Sequence, residues 1–181
     1  MTDSTPVAEQ FKILSSQKRQ DYISWDEYFM GIALLSAMRS KDPTTQVGAC
    51  IINMKKRIIG VGYNGLPAGI SDDEMPWGVR EGNYAETKYA YSTHAELNAI
   101  LNKGLADLTD CKLYSTVYPC NECAKAIIQS GIKEVIYLSD KHADSELNKA
   151  AKLMFAKAGV KCTQLNLGIK QLIIDFTADK I

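Results

Sequence analysis

Residues 112–130 read KLYSTVYPCNECAKAIIQS, and this stretch decides the fold class. It begins with apolar, aromatic and β-branched residues over Lys112–Val117, which predict a strand. A proline and a Cys-x-x-C pair follow, and apolar residues then recur at helical spacing over Cys120–Ser130, as far as Gly131. A strand that leads directly into a helix is typical of α/β domains.

The same alternation continues toward the C-terminus. Strands are predicted over Lys133–Leu138 and Val160–Leu165, with a helix over Ser145–Ala158 between them. The apolar segment Ile169–Phe176 is predicted as a last helix or strand. Because strands and helices alternate here, we expect parallel strands joined by crossover helices.

The N-terminal half has a different pattern. A helix is predicted over Trp25–Ser40, and two short apolar runs, Val47–Asn53 and Ile58–Tyr63, predict an antiparallel hairpin. Residues 64–93 form a Gly- and Pro-rich loop, which at this length is functional or contains a short helix. A helix over His94–Lys103 follows. The whole pattern predicts a three-layer α/β/α fold around a mixed sheet of about five strands.

Composition and charge exclude several classes of protein. The chain has 181 residues, with 21 Lys and Arg against 21 Asp and Glu, whereas a general nucleic-acid or anionic-membrane binder has a basic excess. No apolar run reaches the roughly 18 residues of a membrane span. Residues 1–23 lack the features of a secretory signal and are predicted to be a flexible leader before a single domain over 24–181. We therefore expect a cytoplasmic protein.

Two short motifs carry the chemistry, and they lie 26 residues apart, counted from His94 to Cys120. The first is His94-Ala95-Glu96 and the second is Pro119-Cys120-Asn121-Glu122-Cys123, and each stands where a predicted helix begins. One imidazole and two thiolates would hold zinc and leave a fourth position open to water, as in a catalytic site. A carboxylate at Glu96 can then take a proton from that water. The combination is the signature of zinc-dependent nucleobase deaminases.

These motifs allow two other interpretations. In the first, the two cysteines are ordinary core residues and His94 is incidental. In the second, the zinc is structural and fully coordinated, which requires a fourth ligand from among Cys50, Cys111, Cys162 and His142. The second interpretation leaves Glu96 without a role.

Beyond these motifs, the chain resembles the deoxycytidylate (dCMP) deaminases of the cytidine deaminase-like superfamily. The resemblance extends from about Trp25 to about Gln164. The strings that carry it are Ser40-Lys41-Asp42-Pro43, Gln46-Val47-Gly48-Ala49-Cys50, Gly62-Tyr63-Asn64-Gly65, Ser71-Asp72-Asp73, His94-Ala95-Glu96-Leu97-Asn98-Ala99-Ile100 and Pro119-Cys120-Asn121-Glu122-Cys123-Ala124-Lys125.

The resemblance implies hydrolysis of dCMP to dUMP and ammonia, which supplies dUMP for thymidylate synthesis. It implies that His94, Cys120 and Cys123 hold Zn²⁺. Glu96 would deprotonate the water, protonate N3 of the cytosine ring and later protonate the leaving amine. The backbone N–H of Ala95 would contact the pyrimidine carbonyl.

The resemblance also implies regulation and assembly. Deaminases of this kind form homo-hexamers that dCTP activates and dTTP inhibits at a separate site, and Mg²⁺ can accompany the triphosphate. Tyr63, Gly65, Asp72 and Asp73 are the candidate regulatory residues, although the acidic pair is also typical of a solvated loop.

Four further residues are candidates for binding the substrate, and each has a structural alternative. Arg39 and Lys41 can bind the phosphate or neutralise the end of the first helix. Asn64 can contact the deoxyribose, form a turn or belong to the regulatory site. Tyr118 can stack on the pyrimidine or pack in the core.

Two rival functions are weaker, one a deaminase of another substrate and one from another class of protein. A deaminase of tRNA adenosine or single-stranded DNA cytosine must grip a polynucleotide, and the zero net charge argues against it. A non-enzymatic nucleotide sensor or zinc-stabilised interaction protein has no use for Glu96 beside an open coordination position.

Overall fold

The structure is a computed structural model that describes residue 18 and residues 20–79 and 83–177, so most of the predicted leader lies outside the described residues. The strands are β1 (Gly48–Ile52), β2 (Ile58–Tyr63), β3 (Lys112–Val117), β4 (Glu134–Ser139) and β5 (Lys161–Gln164). The helices are α1 (Trp25–Ala37), α2 (Ala95–Leu101), α3 (Asn121–Gln129) and α4 (Glu146–Ala158), with short 3-10 helices at Tyr84–Glu86 and Lys88–Ala90. Among the helices of the described part, none has the length and apolar character that crossing a membrane requires.

The five strands form one sheet in the order β2-β1-β3-β4-β5. Strand β1 is antiparallel to both of its neighbours, whereas β3, β4 and β5 run parallel to one another. The parallel pairs are joined through α3 and α4, as the strand–helix alternation predicts. The prediction of a mixed sheet of about five strands is confirmed.

The helices cover both faces of the sheet. Helix α1 packs on one face, where Phe29 and Met30 meet Tyr114 of β3. Helices α2, α3 and α4 contribute to the core on the other face, through side chains that include Ala99, Ile127 and Phe155. Helix, sheet and helix therefore form three layers, which confirms the predicted architecture.

The strand β2 and the helix α2 approach unusually closely. A Cβ atom at Gly62 would lie only 2.3 Å from the backbone O of Ala95 and 2.3 Å from the backbone N of Ala99. Glycine at this position lets the first turn of α2 lie directly on the strand. This close contact fixes the distance between β2 and the helix that begins immediately after His94.

The prediction of a helix or strand over Ile169–Phe176 is wrong for the described residues. After Leu165 N–H donates to Tyr137 O, the chain leaves the sheet. The tail then passes α1, where Leu172 lies against Gly31, and most of its apolar side chains are exposed. Without a ladder partner or a buried face, the apolar composition alone does not produce a regular element.

The first helix ends three residues earlier than predicted, at Ala37. Met38 is the C-cap, and the N–H groups of Arg39 and Ser40 donate to carbonyls three residues back, so this segment is a turn before Pro43.

Candidate metal centre and active site

The N-termini of α2 and α3 meet at the site. The residues that precede these two helices point their side chains toward each other. His94 is the N-cap of α2 and Cys120 is the N-cap of α3. Neither side chain makes a capping hydrogen bond. Instead, His94 Nδ1 lies 3.4 Å from Cys120 Sγ and 3.4 Å from Cys123 Sγ.

The three donor atoms fit a zinc ion. His94, Cys120 and Cys123 each offer one ligand atom, and these atoms all lie within 4.8 Å of one another. Tetrahedral Zn²⁺ with ordinary bond lengths separates nitrogen and sulfur donors by about 3.6 Å and two sulfur donors by about 3.8 Å. One imidazole and two thiols is also a donor set that zinc prefers. Three protein ligands leave one tetrahedral position open.

Contacts within the cluster shift the pKa values of all three of its members. The hydrogen bond between the two thiol groups lowers the pKa of Cys120 to about 3, and the contact with His94 acts in the same direction. The same hydrogen bond, together with burial, raises the pKa of Cys123. The contact with Cys120 raises the pKa of His94 to about 8. Zn²⁺ takes the place of such protons when it binds.

Glu96 lies in the first turn of α2 and is buried, with only 4% of its surface exposed. Ser115 Oγ donates to Glu96 Oε1 at 3.2 Å, and Cys123 Sγ lies 3.4 Å from Glu96 Oε2. Burial raises the pKa of Glu96, and the positive charge on His94 opposes that shift. A buried carboxyl group beside a metal-binding cluster is suited to exchange protons with a water held there.

Comparison with known proteins agrees with this geometry. The family model of the cytidine and deoxycytidylate deaminase zinc-binding region matches residues 23–139, which is more than half of the chain. The chain belongs to the cytidine and deoxycytidylate deaminase family. The site is therefore that of a zinc-dependent deaminase, with its three candidate ligands at the N-termini of α2 and α3.

Curated relatives match most of the chain. Mouse deoxycytidylate deaminase is 55% identical over 163 residues, which is 90% of this chain and 92% of the relative. Human deoxycytidylate deaminase is 53% identical over the same length and the same shares of the two chains.

A solved structure shares the fold of this deaminase. The dCMP deaminase of cyanophage S-TIM5, in complex with dCMP and dUMP, aligns with a TM-score of 0.64 over 80% of this chain and 100% of that chain. At 24% identity, this structural similarity shows only that the two chains share a fold.

The candidate substrate residues occupy different surroundings. Ala95 is the first residue of α2, and the N–H at this position has no partner within a helix. Arg39 and Lys41 are exposed beyond the end of α1, and Lys41 forms an ion pair with Asp72. The binding of the substrate phosphate by Arg39 or Lys41 stays a prediction.

Asn64 is buried and its side chain is engaged within the protein. Its Oδ1 accepts from Val47 N at 2.8 Å, and its Nδ2 donates to Thr45 O at 3.0 Å and to Asp42 Oδ2 at 3.2 Å. The amide therefore organises the loop between α1 and β1, and Gly65 continues from Asn64 in an isolated bridge with Thr93 instead of a tight turn. A contact with deoxyribose stays a prediction.

Tyr118 packs in the core of the deaminase. It is 5% exposed, its ring meets Tyr137 edge-on at 4.8 Å, and Phe155 lies 6.1 Å away. Its hydroxyl lies 3.7 Å from Cys162 Sγ, and burial raises its pKa. This arrangement agrees with the packing alternative. A stacking contact with the pyrimidine stays a prediction.

The candidate regulatory residues lie along one loop. Tyr63 is 38% exposed at the end of β2, and Gly65 forms an isolated bridge with Thr93. Asp72 pairs with Lys41, and Asp73 is exposed. These contacts are those of a folded surface loop, and the regulatory role of the four residues stays a prediction.

Sequence reasoning missed three residues around the site. Ser115 has no exposed surface and contacts the catalytic candidate Glu96. Asp42 and Lys88 form a buried ion pair between the loop after α1 and the segment that leads to His94. Nothing in their spacing indicates the contacts, although Asp42 belongs to one of the strings that carry the family resemblance.

Proposed function

We propose that this deaminase hydrolyses dCMP to dUMP and ammonia. The observation that carries the proposal is the buried carboxyl group of Glu96, 3.4 Å from Cys123 Sγ, beside a three-residue zinc site with one open position. The likeness to deoxycytidylate deaminases at 53–55% identity over nine-tenths of the chain supports this substrate. The product dUMP supplies thymidylate synthesis.

His94 Nδ1 and the thiolates of Cys120 and Cys123 would hold the ion. When bound, Zn²⁺ supplies the electrophile that activates water for attack on C4 of the cytosine ring. Glu96 Oε2 faces the cluster and takes a proton from the attacking water. Glu96 delivers this proton to N3, then takes the second proton of the water from the hydroxyl group now bonded to C4 and passes it to the amino group. The C4–N bond breaks, ammonia leaves and the carbonyl group of dUMP forms.

The first turn of α2 orients the pyrimidine. The N–H of Ala95 has no partner within the helix and would donate to the base carbonyl. Asn64 would receive the sugar, and Arg39 or Lys41 would bind the phosphate beyond the end of α1. Each group acts in binding, whereas Glu96 acts on protons.

Regulation and assembly are a further part of the proposal. Activation by dCTP with Mg²⁺, inhibition by dTTP and a homo-hexamer follow from the resemblance to dCMP deaminases. Tyr63, Gly65, Asp72 and Asp73 would form the effector site. We also propose a cytoplasmic location, which agrees with five free cysteines.

The decisive test is ammonia release by the zinc-loaded protein from dCMP, CMP and deoxycytidine, each with and without dCTP plus Mg²⁺. We expect turnover of dCMP and an increase with dCTP. Release from dCMP that dCTP leaves unchanged supports the reaction and contradicts the regulation. No release from any of the three compounds contradicts the dCMP assignment, and adenine-containing tRNA and single-stranded DNA are then the next substrates.

A matched variant separates catalysis from metal binding. Glu96→Gln retains the size of the side chain but cannot transfer the proton, so we expect full zinc content and a loss of turnover of about 100-fold or more. Substantial turnover in this variant excludes Glu96 as the proton carrier.

A further inference from the structure

The two oxygens of the Glu96 carboxyl group have different partners. Oε1 accepts a hydrogen bond from Ser115 Oγ at 3.2 Å, whereas Oε2 lies 3.4 Å from Cys123 Sγ at the zinc site. One oxygen is therefore held by the sheet, and the other faces the cluster.

Ser115 is well placed to hold the first oxygen. It lies in the middle of β3, it is paired with Ala49 of β1 and Tyr137 of β4, and it has no exposed surface. Leu113, two residues earlier, belongs to the core on the face that α2 and α3 cover, so Ser115 points toward the same face. A hydroxyl on a central strand has little freedom to move.

We propose that Ser115 is a positioning residue for Glu96, and the inference rests on the proposed function. Its hydroxyl fixes Oε1 and so keeps Oε2 directed at the place where water and the cytosine ring must meet. Small displacements of a reacting group cost up to about 100-fold in rate, so a fixed carboxylate is worth more than a freely rotating one.

The chemistry of serine suits this task. A hydroxyl can donate and accept, so its contact with Glu96 persists whether or not the carboxyl group carries a proton during turnover. Alanine at the same position would leave the buried carboxyl oxygen without this donor and would let the side chain turn.

The neighbouring residue offers a matched control. Thr116 is also buried on β3, but it faces the opposite side of the sheet and its Oγ1 accepts from Gly48 N at 3.1 Å. Thr116→Val removes a buried hydroxyl of the same strand without touching Glu96. Any effect that comes only from losing a buried hydroxyl group of β3 therefore appears in both Ser115→Ala and Thr116→Val.

The experiment compares Ser115→Ala, Ser115→Thr and Thr116→Val as zinc-loaded proteins, with kcat and KM for dCMP, zinc content and melting temperature as readouts. For Ser115→Ala we expect a kcat about 10- to 100-fold lower, KM within about twofold and one zinc per chain. Ser115→Thr restores the hydroxyl and should recover most of kcat. Thr116→Val should lose stability while its kcat stays near that of the parent protein.

Four outcomes would overturn the inference. A kcat for Ser115→Ala equal to that of the parent protein removes the positioning role. Equal losses of kcat in Ser115→Ala and Thr116→Val, or a loss that follows the zinc content, show a structural role only. Absence of dCMP turnover in the parent protein shows instead that the proposed function, and the inference with it, is wrong.

Discussion

Lys88 Nζ lies 2.6 Å from Oδ1 and 2.5 Å from Oδ2 of Asp42, and these two side chains are buried, with 5% and 3% of the residue surface exposed. The carboxylate also accepts from the backbone N–H groups of Thr44 and Thr45. The pair joins the loop after α1 to the 3-10 helix that precedes His94. The ion pair therefore anchors the segment that precedes the candidate ligand His94 to the loop after α1.

Removing one partner of this pair should destabilise the fold strongly. In Lys88→Met the side chain keeps its apolar length, but Asp42 is left as a buried charge without its cation. We expect the free energy of unfolding to fall by about 3–5 kcal/mol, measured by urea unfolding near neutral pH.

An exposed pair provides the control for that measurement. Lys149 pairs with Glu146 at 2.9 Å, with side chains 57% and 88% exposed. Lys149→Met should lower the free energy of unfolding by less than about 1 kcal/mol. Similar losses in the two variants would contradict a special role for the buried pair.

The same pair predicts a pH dependence of stability. Burial alone would raise the pKa of Asp42, but hydrogen bonds from Lys88, Thr44 and Thr45 outweigh it and hold that pKa below the ordinary value of 3.8. A lowered pKa in the folded state stabilises the protein above the unfolded value, and this contribution disappears as the pH falls through the folded value.

Comparison of the parent protein with Asp42→Asn tests this dependence. The difference in free energy of unfolding should be constant from neutral pH down to the ordinary pKa and should shrink in more acidic solution. A difference that does not change with pH would show that the Asp42 carboxylate contributes only through its shape.

The order of strands and helices was predictable because each element has a local signature. Strands β3 to β5 and helices α2 to α4 lie within a few residues of their predicted positions, since apolar periodicity and terminal glycines such as Gly159 mark them. The grouping of the candidate metal ligands was predictable for a related reason. His94 and the two cysteines lie at or near the first residues of two helices. Their close spacing in the sequence there limits the directions in which their side chains can point.

Contacts between distant segments were not predictable in the same way. In the sequence, Ser115 has the features of an ordinary strand residue and Lys88 those of a charged loop residue. The partner of Ser115, Glu96, is 19 positions away, and the partner of Lys88, Asp42, is 46 positions away. Tyr118 beside the zinc motif suggested a substrate contact, and its burial against Tyr137 and Phe155 depends on where β4 and α4 pack. Such residues acquire their roles only when the sheet brings the segments together.

Close packing of β2 on α2 predicts a specific sensitivity at Gly62. In Gly62→Ala the new Cβ would meet the backbone of α2 at 2.3 Å, so the helix that carries Glu96 must shift. We expect a lower melting temperature together with reduced zinc content, measured by thermal unfolding and metal analysis. Gly168→Ala is the control, because within the described part of the chain no heavy atom beyond Gly168 and its two neighbours lies within 4 Å of that Cβ position, and it should behave like the parent protein.

Loss of a metal ligand should affect binding and stability together. Cys123→Ala removes a ligand from the cluster, so we expect less than one-tenth of the zinc content and a lower melting temperature, because metal binding is coupled to folding. Cys111→Ala truncates an equally buried cysteine that is not part of the cluster, and it should retain its zinc. Full zinc in the Cys123 variant would remove that thiol from the ligand set.

Arg39 distinguishes the two interpretations of the basic residues beyond α1. Lys41 already has Asp72 as its ion-pair partner, so Arg39 is the better candidate to bind the phosphate through two parallel hydrogen bonds. We expect Arg39→Ala to raise KM for dCMP by about 10- to 100-fold, as the loss of a charged hydrogen bond implies, with much less effect on deoxycytidine. Steady-state kinetics with the two substrates measures the ratio. Equal effects on both would instead assign Arg39 to the end of the helix, where a cation only offsets the dipole.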